Sequence, residues 1–355
     1  MTRMNRKTKI GIIVLACICL IALTIVVTWT VARAVGKKNL KENTLSDKPV
    51  METPETIEAE NTEQERWEEG WVKYNNRIYK YNDDIITFLF MGIDKDGKTK
   101  EVSEGTNGGQ ADALFLAVLN PHNQTIKIVG INRNTMADID LYDSDGSYLA
   151  TVQAQLAVQH GFGNGVEESC EYQVKAVSKF LYSLPIHGYA AINMKAVPII
   201  NDAVGGVDVV ALSDVKNMSQ KRIIKEGDLV HLTGDMAYWY VRDRNMGEFA
   251  SADKRLDRQK QYLKEFVSKA KKGVKEDIGL VGELYNDITP YMTTNVTLDE
   301  LIYLAPEMVN YSFDSNSVYM IKGETVKGEE FEEFYPDENQ LYDLIINIFY
   351  EEVIF

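Results

Sequence analysis

The chain has 355 residues, a formal net charge of −15 and a sequence pI near 4.9. That acidity argues against nucleic acid as a partner, since a phosphate backbone needs a basic footprint. With 45% hydrophobic residues there is material for a packed core, in one large domain or two smaller ones.

Residues 1–9 read as a short N-terminal tail carrying Arg3, Arg6, Lys7 and Lys9. Ile10–Ala32 follows, 23 residues without a charge. As a helix it extends about 35 Å, enough for a hydrocarbon core of roughly 30 Å, and it exceeds the usual apolar core of a signal peptide. We read it as a transmembrane helix. Arg33, Lys37, Lys38 and Lys41 balance the basic residues before it, so charge leaves its orientation open. Residues 33–66, polar and interrupted by Pro49 and Pro54, predict a flexible acidic stalk. Residues 67–84 open with Trp67 and Trp71 and alternate around Asn75-Asn76, which predicts a membrane-proximal β-hairpin.

Residues 85–355 predict one α/β domain. Ile85–Met91 is a continuous apolar run, typical of a strand buried on both faces. Ala113–Leu119 and Thr125–Ile131 predict two strands joined by the short polar connection 120–124, hence an antiparallel hairpin. Helical spacing covers residues 168–183, and Gly205-Gly206 breaks the stretch Ala203–Val210 before another strand. Thr233 is placed to cap a helix running to about Val241. Asp253–Lys271 is a longer amphipathic helix. Leu298–Asn310 predicts a helix, Ser317–Ile321 a strand and Asp337–Tyr350 a terminal helix. Cys170 is the one cysteine outside the apolar N-terminal run and reads as a small buried residue. His122, His160, His187 and His231 are scattered, so no zinc spacing is present.

Gly92–Thr99 matches the phosphate-loop pattern GxxxxGK[ST] after a predicted strand. Three features argue against that chemistry. No helical pattern follows to present its N-terminus to phosphates, Asp94 and Asp96 would repel the anion, and no partner strand ends in a metal-binding Asp.

A different constellation is more informative. In an antiparallel hairpin the start of the first strand and the end of the second share one sheet edge. Asp112 and Arg133 therefore project together. Asp94 joins them if Ile85–Met91 runs in the sense of Thr125–Ile131. Two carboxylates and an Arg at the carboxyl edge of an α/β sheet suit Mg²⁺ bridging protein and phosphate oxygens; the alternative is three solvated loop residues. A second cluster, Arg242, Arg244, Lys254, Arg255, Arg258 and Lys260, could grip phosphate oxygens with planar forks, or be an ordinary charged helix neighbouring Asp253 and Asp257.

In order, Asp94 after a buried strand, Ala111-Asp112, Asn120-Pro121, Ile131–Thr135, Ala203–Val207, Leu232-Thr233-Gly234, Arg242-x-Arg244 and Arg255-x-x-Arg258-Gln259 resemble the LytR–CpsA–Psr family of cell-wall phosphotransferases, across about residues 84–355. The resemblance implies a single mixed-sheet domain flanked by helices, a cytoplasmic N-terminus and a domain outside the cell membrane. It implies transfer of a glycopolymer from a polyprenyl-pyrophosphate carrier to peptidoglycan, with Mg²⁺ on the pyrophosphate and the lipid tail in an apolar groove. Carried over by position, Asp94 and Asp112 would hold the metal. Arg133, Arg242, Arg244 and Arg255 would neutralise the pyrophosphate from solvent-lined positions, with Gln259 as polar support. The chain departs from the family pattern at Asn134, where Asp is usual, at Gln153, where Lys is expected, and at Ala252, where Asp is common and Asp253 is adjacent. These departures leave the general base unassigned. A pyrophosphate hydrolase and a non-catalytic regulatory module are the alternative functions.

Overall fold

The structure is a computed structural model that describes residues 34–36, 38–39, 49–51, 68 and 70–354, less 103–106, 144, 246 and 315. The predicted span Ile10–Ala32 and most of the stalk lie outside the described residues. Among the described residues no helix is long and apolar enough to cross a membrane.

The hairpin forms as β1 (Val72–Tyr74) and β2 (Arg77–Tyr81). Asn75 and Asn76 adopt left-handed φ of 48° and 59°, a geometry asparagine tolerates better than most residues. The sheet core is β3 (Ile86–Ile93), β4 (Ala111–Asn120) and β5 (Thr125–Ile131), each antiparallel to the next. Thus β3 and β5 run in the same sense, as the convergence of Asp94 on Arg133 requires. Among the described residues no helix follows Gly92–Thr99 before β4.

A two-stranded ribbon comes next, β6 (Met136–Tyr142) with β7 (Tyr148–Gln155), then a 3-10 turn and α1 (Glu167–Phe180). β8 (Gly188–Asn193) pairs parallel with β3. A small lobe is inserted after it: α2 (Ala196–Ala203), β9 (Val207–Val210), β10 (Val215–Lys216), β11 (Arg222–Ile224), β12 (Leu229–Leu232) and α3 (Asp235–Arg242). The chain returns through α4 (Ser251–Glu276), α5 (Gly279–Ile288), β13 (Met292–Thr294), α6 (Leu298–Asn310) and β14 (Val318–Met320). It ends with the β15 (Gly323–Lys327) and β16 (Glu332–Pro336) hairpin, α7 (Glu338–Phe349) and β17 (Tyr350–Glu352). The six-stranded sheet has the order β13-β8-β3-β4-β5-β14 and is mixed.

Both faces of the sheet are covered. On one, Leu89, Met91, Leu116 and Ile131 pack against Cys170 and Val177 of α1 and Ile345 and Phe349 of α7. On the other, Phe88, Leu119 and Ile126 meet Leu304 of α6, while Phe115, Ile128 and Val318 meet Leu256, Leu263 and Val267 of α4. Each fully buried aliphatic side chain contributes about 1.5–3 kcal/mol. Cys170 is buried as expected, and burial pushes its thiol pKa up.

Three expectations need correction. Thr233 does not cap α3: the N-cap is Gly234, at φ 47° and without a side-chain cap, and its N–H donates to Asp202 Oδ1 at 2.7 Å. Left-handed backbone there excludes a β-branched residue, so the cap position moves one residue along. The strand Ile85–Met91 is not buried throughout, because Phe90 is 48% exposed. The hairpin expected over residues 67–84, set apart from the domain of residues 85–355, is packed into it: β17 pairs with β2, and Val72 lies in the main core.

Candidate active site

The carboxyl edge of β3 is built around Gln110. The Asp94 N–H donates to Gln110 O at 3.1 Å, and the Gln110 N–H donates to Asp94 Oδ1 at 2.7 Å. Gly109 precedes it at φ +87°, and a Cβ there would meet Ile93 at 2.9 Å and Asp94 Oδ1 at 3.0 Å, so only glycine lets the loop fold this closely. The Gly109 carbonyl is held in turn by buried His160, whose Nδ1 lies 3.0 Å away. Burial lowers the His160 pKa to about 4, so the ring is neutral at pH 7 and Nδ1–H donates to that carbonyl.

Asp112, the second residue of β4, is the centre of the site. One of its oxygens accepts from Arg133 and the other from Arg255 Nη1 at 2.9 Å. Arg133 also donates to Gln110 Oε1, and its Nε is buried without a partner among the described residues. The hydrogen bonding of this guanidinium is thus incomplete in the conformation described. Arg255 is only 7% exposed, which overturns the expectation of a solvent-lined position: helix α4 turns it inward onto Asp112. Burial lowers its pKa, Asp112 beside it opposes that effect, and Arg133 adds to it.

The other predicted residues are placed more loosely. Arg242, at the end of α3, lies 3.3 Å from Asp96 and packs over the rings of Tyr238 and Trp239. Tyr238 donates to the same Asp96 carboxylate at 3.1 Å. Arg244 is drawn elsewhere, to Glu332 of β16 at 2.9 Å and Ser251 at 2.9 Å. Gln259 donates to Val241 O at 3.0 Å, and Arg258 donates to Tyr240 O at 2.8 Å, so both hold the end of α3 in place. The structure thus joins Asp94, Asp112, Arg133 and Arg255 through Gln110, sets Arg242 at the rim and ties Arg244 to another hairpin. Gln110 carried no signal in the sequence. Asp96 did, two residues after Asp94, but it was weighed only against phosphate binding.

The departures have structural settings. Asn134 is buried, accepts from Gln155 at 3.2 Å and has no partner for its Nδ2 among the described residues. Gln153 bonds Asp138 on the β6–β7 ribbon. Ala252 is buried, while both oxygens of Asp253 are engaged, by Asn132 at 2.7 Å and Thr325 at 2.8 Å. None of the three positions offers a free carboxylate.

Asp94 is exposed, and its Oδ2 has no donor among the described residues, so it is open to a cation. Among the described residues no group of three or more His, Cys, Asp or Glu could hold a metal by itself. Asp94 fits Mg²⁺ in the mode where a single carboxylate shares the ion with substrate phosphates, whereas both oxygens of Asp112, the other expected ligand, are taken by arginines. Beside this edge Phe90 leaves apolar surface open on the sheet face that α4 and α6 otherwise cover.

The LytR_cpsA_psr family model matches residues 48–344. A teichoic acid transferase of Bacillus mycoides, "Polyisoprenyl-teichoic acid--peptidoglycan teichoic acid transferase TagU", is 29% identical over 237 residues, 66% of this chain and 67% of that one. Among solved structures, Bacillus subtilis TagV has a TM-score of 0.57 at 24% identity, covering 75% of this chain and 96% of that one. "TagT bound to LIIa-WTA" has a TM-score of 0.52 at 20% identity, covering 75% and 89%. At these identities the solved structures speak for the fold. With the family model spanning most of its length, this chain belongs to the LytR–CpsA–Psr family.

Proposed function

We propose that the protein transfers a glycopolymer from a polyprenyl-pyrophosphate carrier to peptidoglycan, at the outer face of the membrane and anchored by Ile10–Ala32. The observation that carries this reading is Asp112 clasping Arg133 and Arg255 beside Asp94, a cluster of paired charges at one sheet edge. The printed name of the TagU relative supports the substrate class.

In this reaction an acceptor hydroxyl attacks the glycan-bearing phosphorus. A new P–O bond forms, the P–O bond to the lipid-side phosphate breaks, and the lipid monophosphate leaves with the electron pair. The hydroxyl proton passes to solvent or to the departing phosphate. Arg133 directs its positive charge at a phosphoryl oxygen, Arg255 sets the charge beneath it, and Arg242 closes from the rim. Fixed donors aimed at developing charge are the main lever in phosphoryl transfer. Asp94 would hold Mg²⁺, with Asp112 joining it only on releasing one of its arginines; when bound, the ion would supply charge neutralisation on the pyrophosphate. The prenyl tail lies along the surface that Phe90 leaves open, and Gln259 and Arg244 support the frame.

The test is transfer of labelled glycan from a polyprenyl-pyrophosphate donor to wall oligomers, measured beside release of glycan into water, with and without EDTA. Transfer that falls about 10²–10³-fold in Arg133→Ala supports the reading. Release without transfer in the wild type would replace it with a hydrolase. Binding with neither activity would leave a regulatory module.

A further inference from the structure

An 810 Å³ pocket lies against the catalytic cluster, and no step above uses it. Such a volume falls within the range of about 300–1,000 Å³ that holds drug-sized ligands. Its wall on the cluster side is the hydrogen bond of 2.7 Å between Asn132 and Asp253. Asn132 immediately precedes Arg133, and Asp253 stands two residues before Arg255 on α4. The pocket and the arginines therefore share one partition.

The pocket also has a defined place relative to the proposed lipid path. Phe90, Phe115, Gly130 and Met320 are register partners in one row across β3, β4, β5 and β14, all on the face that α4 covers. Phe90 sits at one end of the row. Met320, which lines the pocket, is three strand spacings or about 14 Å away at the other. Donor tail and pocket thus flank α4 from opposite sides, with Arg255 and Arg133 between them.

The lining combines stacking surface with hydrogen-bonding groups. Tyr335 is 47% exposed, beside buried Phe334 and Pro336. Asp257 is exposed and has no hydrogen-bond donor among the described residues; partial desolvation raises its pKa, the charge of Lys260 opposes that and the charge of Asp253 adds to it. A carboxylate in that position seeks donors, and Lys322 supplies donors on the same wall. A bare cation would use acceptors alone, yet both oxygens of Asp253 are already engaged and, although Glu324 and Asp337 also line the pocket, no three carboxylates among the described residues are grouped to hold a metal. A ligand with an apolar ring face and both hydroxyl donors and acceptors matches the mixture.

Resting on the function proposed above, we propose that this pocket binds a saccharide segment of the acceptor strand, stacked on Tyr335 and hydrogen-bonded to Asp257. In that place it brings an acceptor hydroxyl to the phosphorus from the side opposite the departing lipid phosphate.

The experiment uses the full chain in lipid nanodiscs and tetra-N-acetylchitotetraose as a probe, followed by titration calorimetry. The wild type should bind the probe. Asp257→Asn and Tyr335→Ala should each weaken it about tenfold, the loss of one good polar or stacking contact. Saturating polyprenyl pyrophosphate should leave the probe bound, since the two sites are separate. No binding by the wild type, or unchanged binding by both variants, would overturn the proposal. Displacement of the probe by the lipid would overturn it too, by placing the sugar at the arginines. Failure of the proposed function shows separately, as absent glycan transfer from the lipid donor while probe binding persists.

Discussion

Two carboxylates hold arginines at the same sheet edge, in opposite settings. Asp112, Arg133 and Arg255 are sheltered, with side chains 19%, 15% and 8% exposed, whereas those of Asp96 and Arg242 are 54% and 38% exposed and meet at 3.3 Å. A solvated pair of the second kind adds about 0–1 kcal/mol, because water screens it and two mobile side chains must be held. Breaking a sheltered pair by removing one partner costs about 3–5 kcal/mol, since the remaining charge is stranded. The Asp112 cluster is therefore architecture as well as chemistry, while Arg242 remains able to leave Asp96 for a ligand.

Arg255→Ala should break the comparison most severely. It strands Asp112 with one cation, and unfolding by denaturant should show a loss of about 3–5 kcal/mol together with lost transfer. Unchanged stability would mean that Arg255 is not sheltered.

A pH series probes the loop that carries the cluster. His160 has its pKa lowered to about 4 in the fold, while in the unfolded chain it takes a proton below about 6.5. Its contribution is complete above pH 6.5, falls as pH drops towards 4, and changes no further below that. The wild type should lose about 3 kcal/mol over this window from His160. In His160→Gln that part of the slope should vanish; equal slopes in both proteins would exclude His160 as its source.

Arg244→Ala is expected to be intermediate, about 1.5–3 kcal/mol, because it leaves sheltered Glu332 without its charged partner. Proteolysis of the β15–β16 hairpin should rise with it; unaltered cleavage would show that Arg244 does not fasten that hairpin. Arg242→Ala should be mildest in stability, within about 1 kcal/mol, while still weakening donor binding. If Arg242→Ala destabilised the fold as much as Arg255→Ala, the distinction between rim and cluster would collapse.

The pairing of Asp112 with Arg133 was legible in the sequence because it depends on a hairpin, and hairpins announce themselves locally. The two residues are 21 apart, and strand alternation with a short turn is enough to bring them together. Helix α6 was legible to its ends for a related reason: Glu300 accepts from the Thr297 N–H at 2.7 Å, within one turn. Arg244 and Glu332 are 88 apart, and no local pattern records that attraction, so the family resemblance placed Arg244 on the pyrophosphate together with Arg242. The β6–β7 ribbon escaped notice because Tyr148, Leu149 and Val152 point outward, which blurs the alternation of a half-buried strand. Arg255 was misjudged because burial of a helix residue depends on what the helix lies against, here β4.

The pairing of β17 with β2 has a kinetic consequence. Asn82 and Glu351 bond across 269 residues, so closing that contact carries a loop-closure cost of about 5 kcal/mol. A two-stranded hairpin is marginal by itself. The hairpin at the start of the domain is thus ordered last, once the final helix has docked and delivered its strand. Folding would proceed with the domain's first strands unanchored, and only the arrival of its last strand would fix them in place.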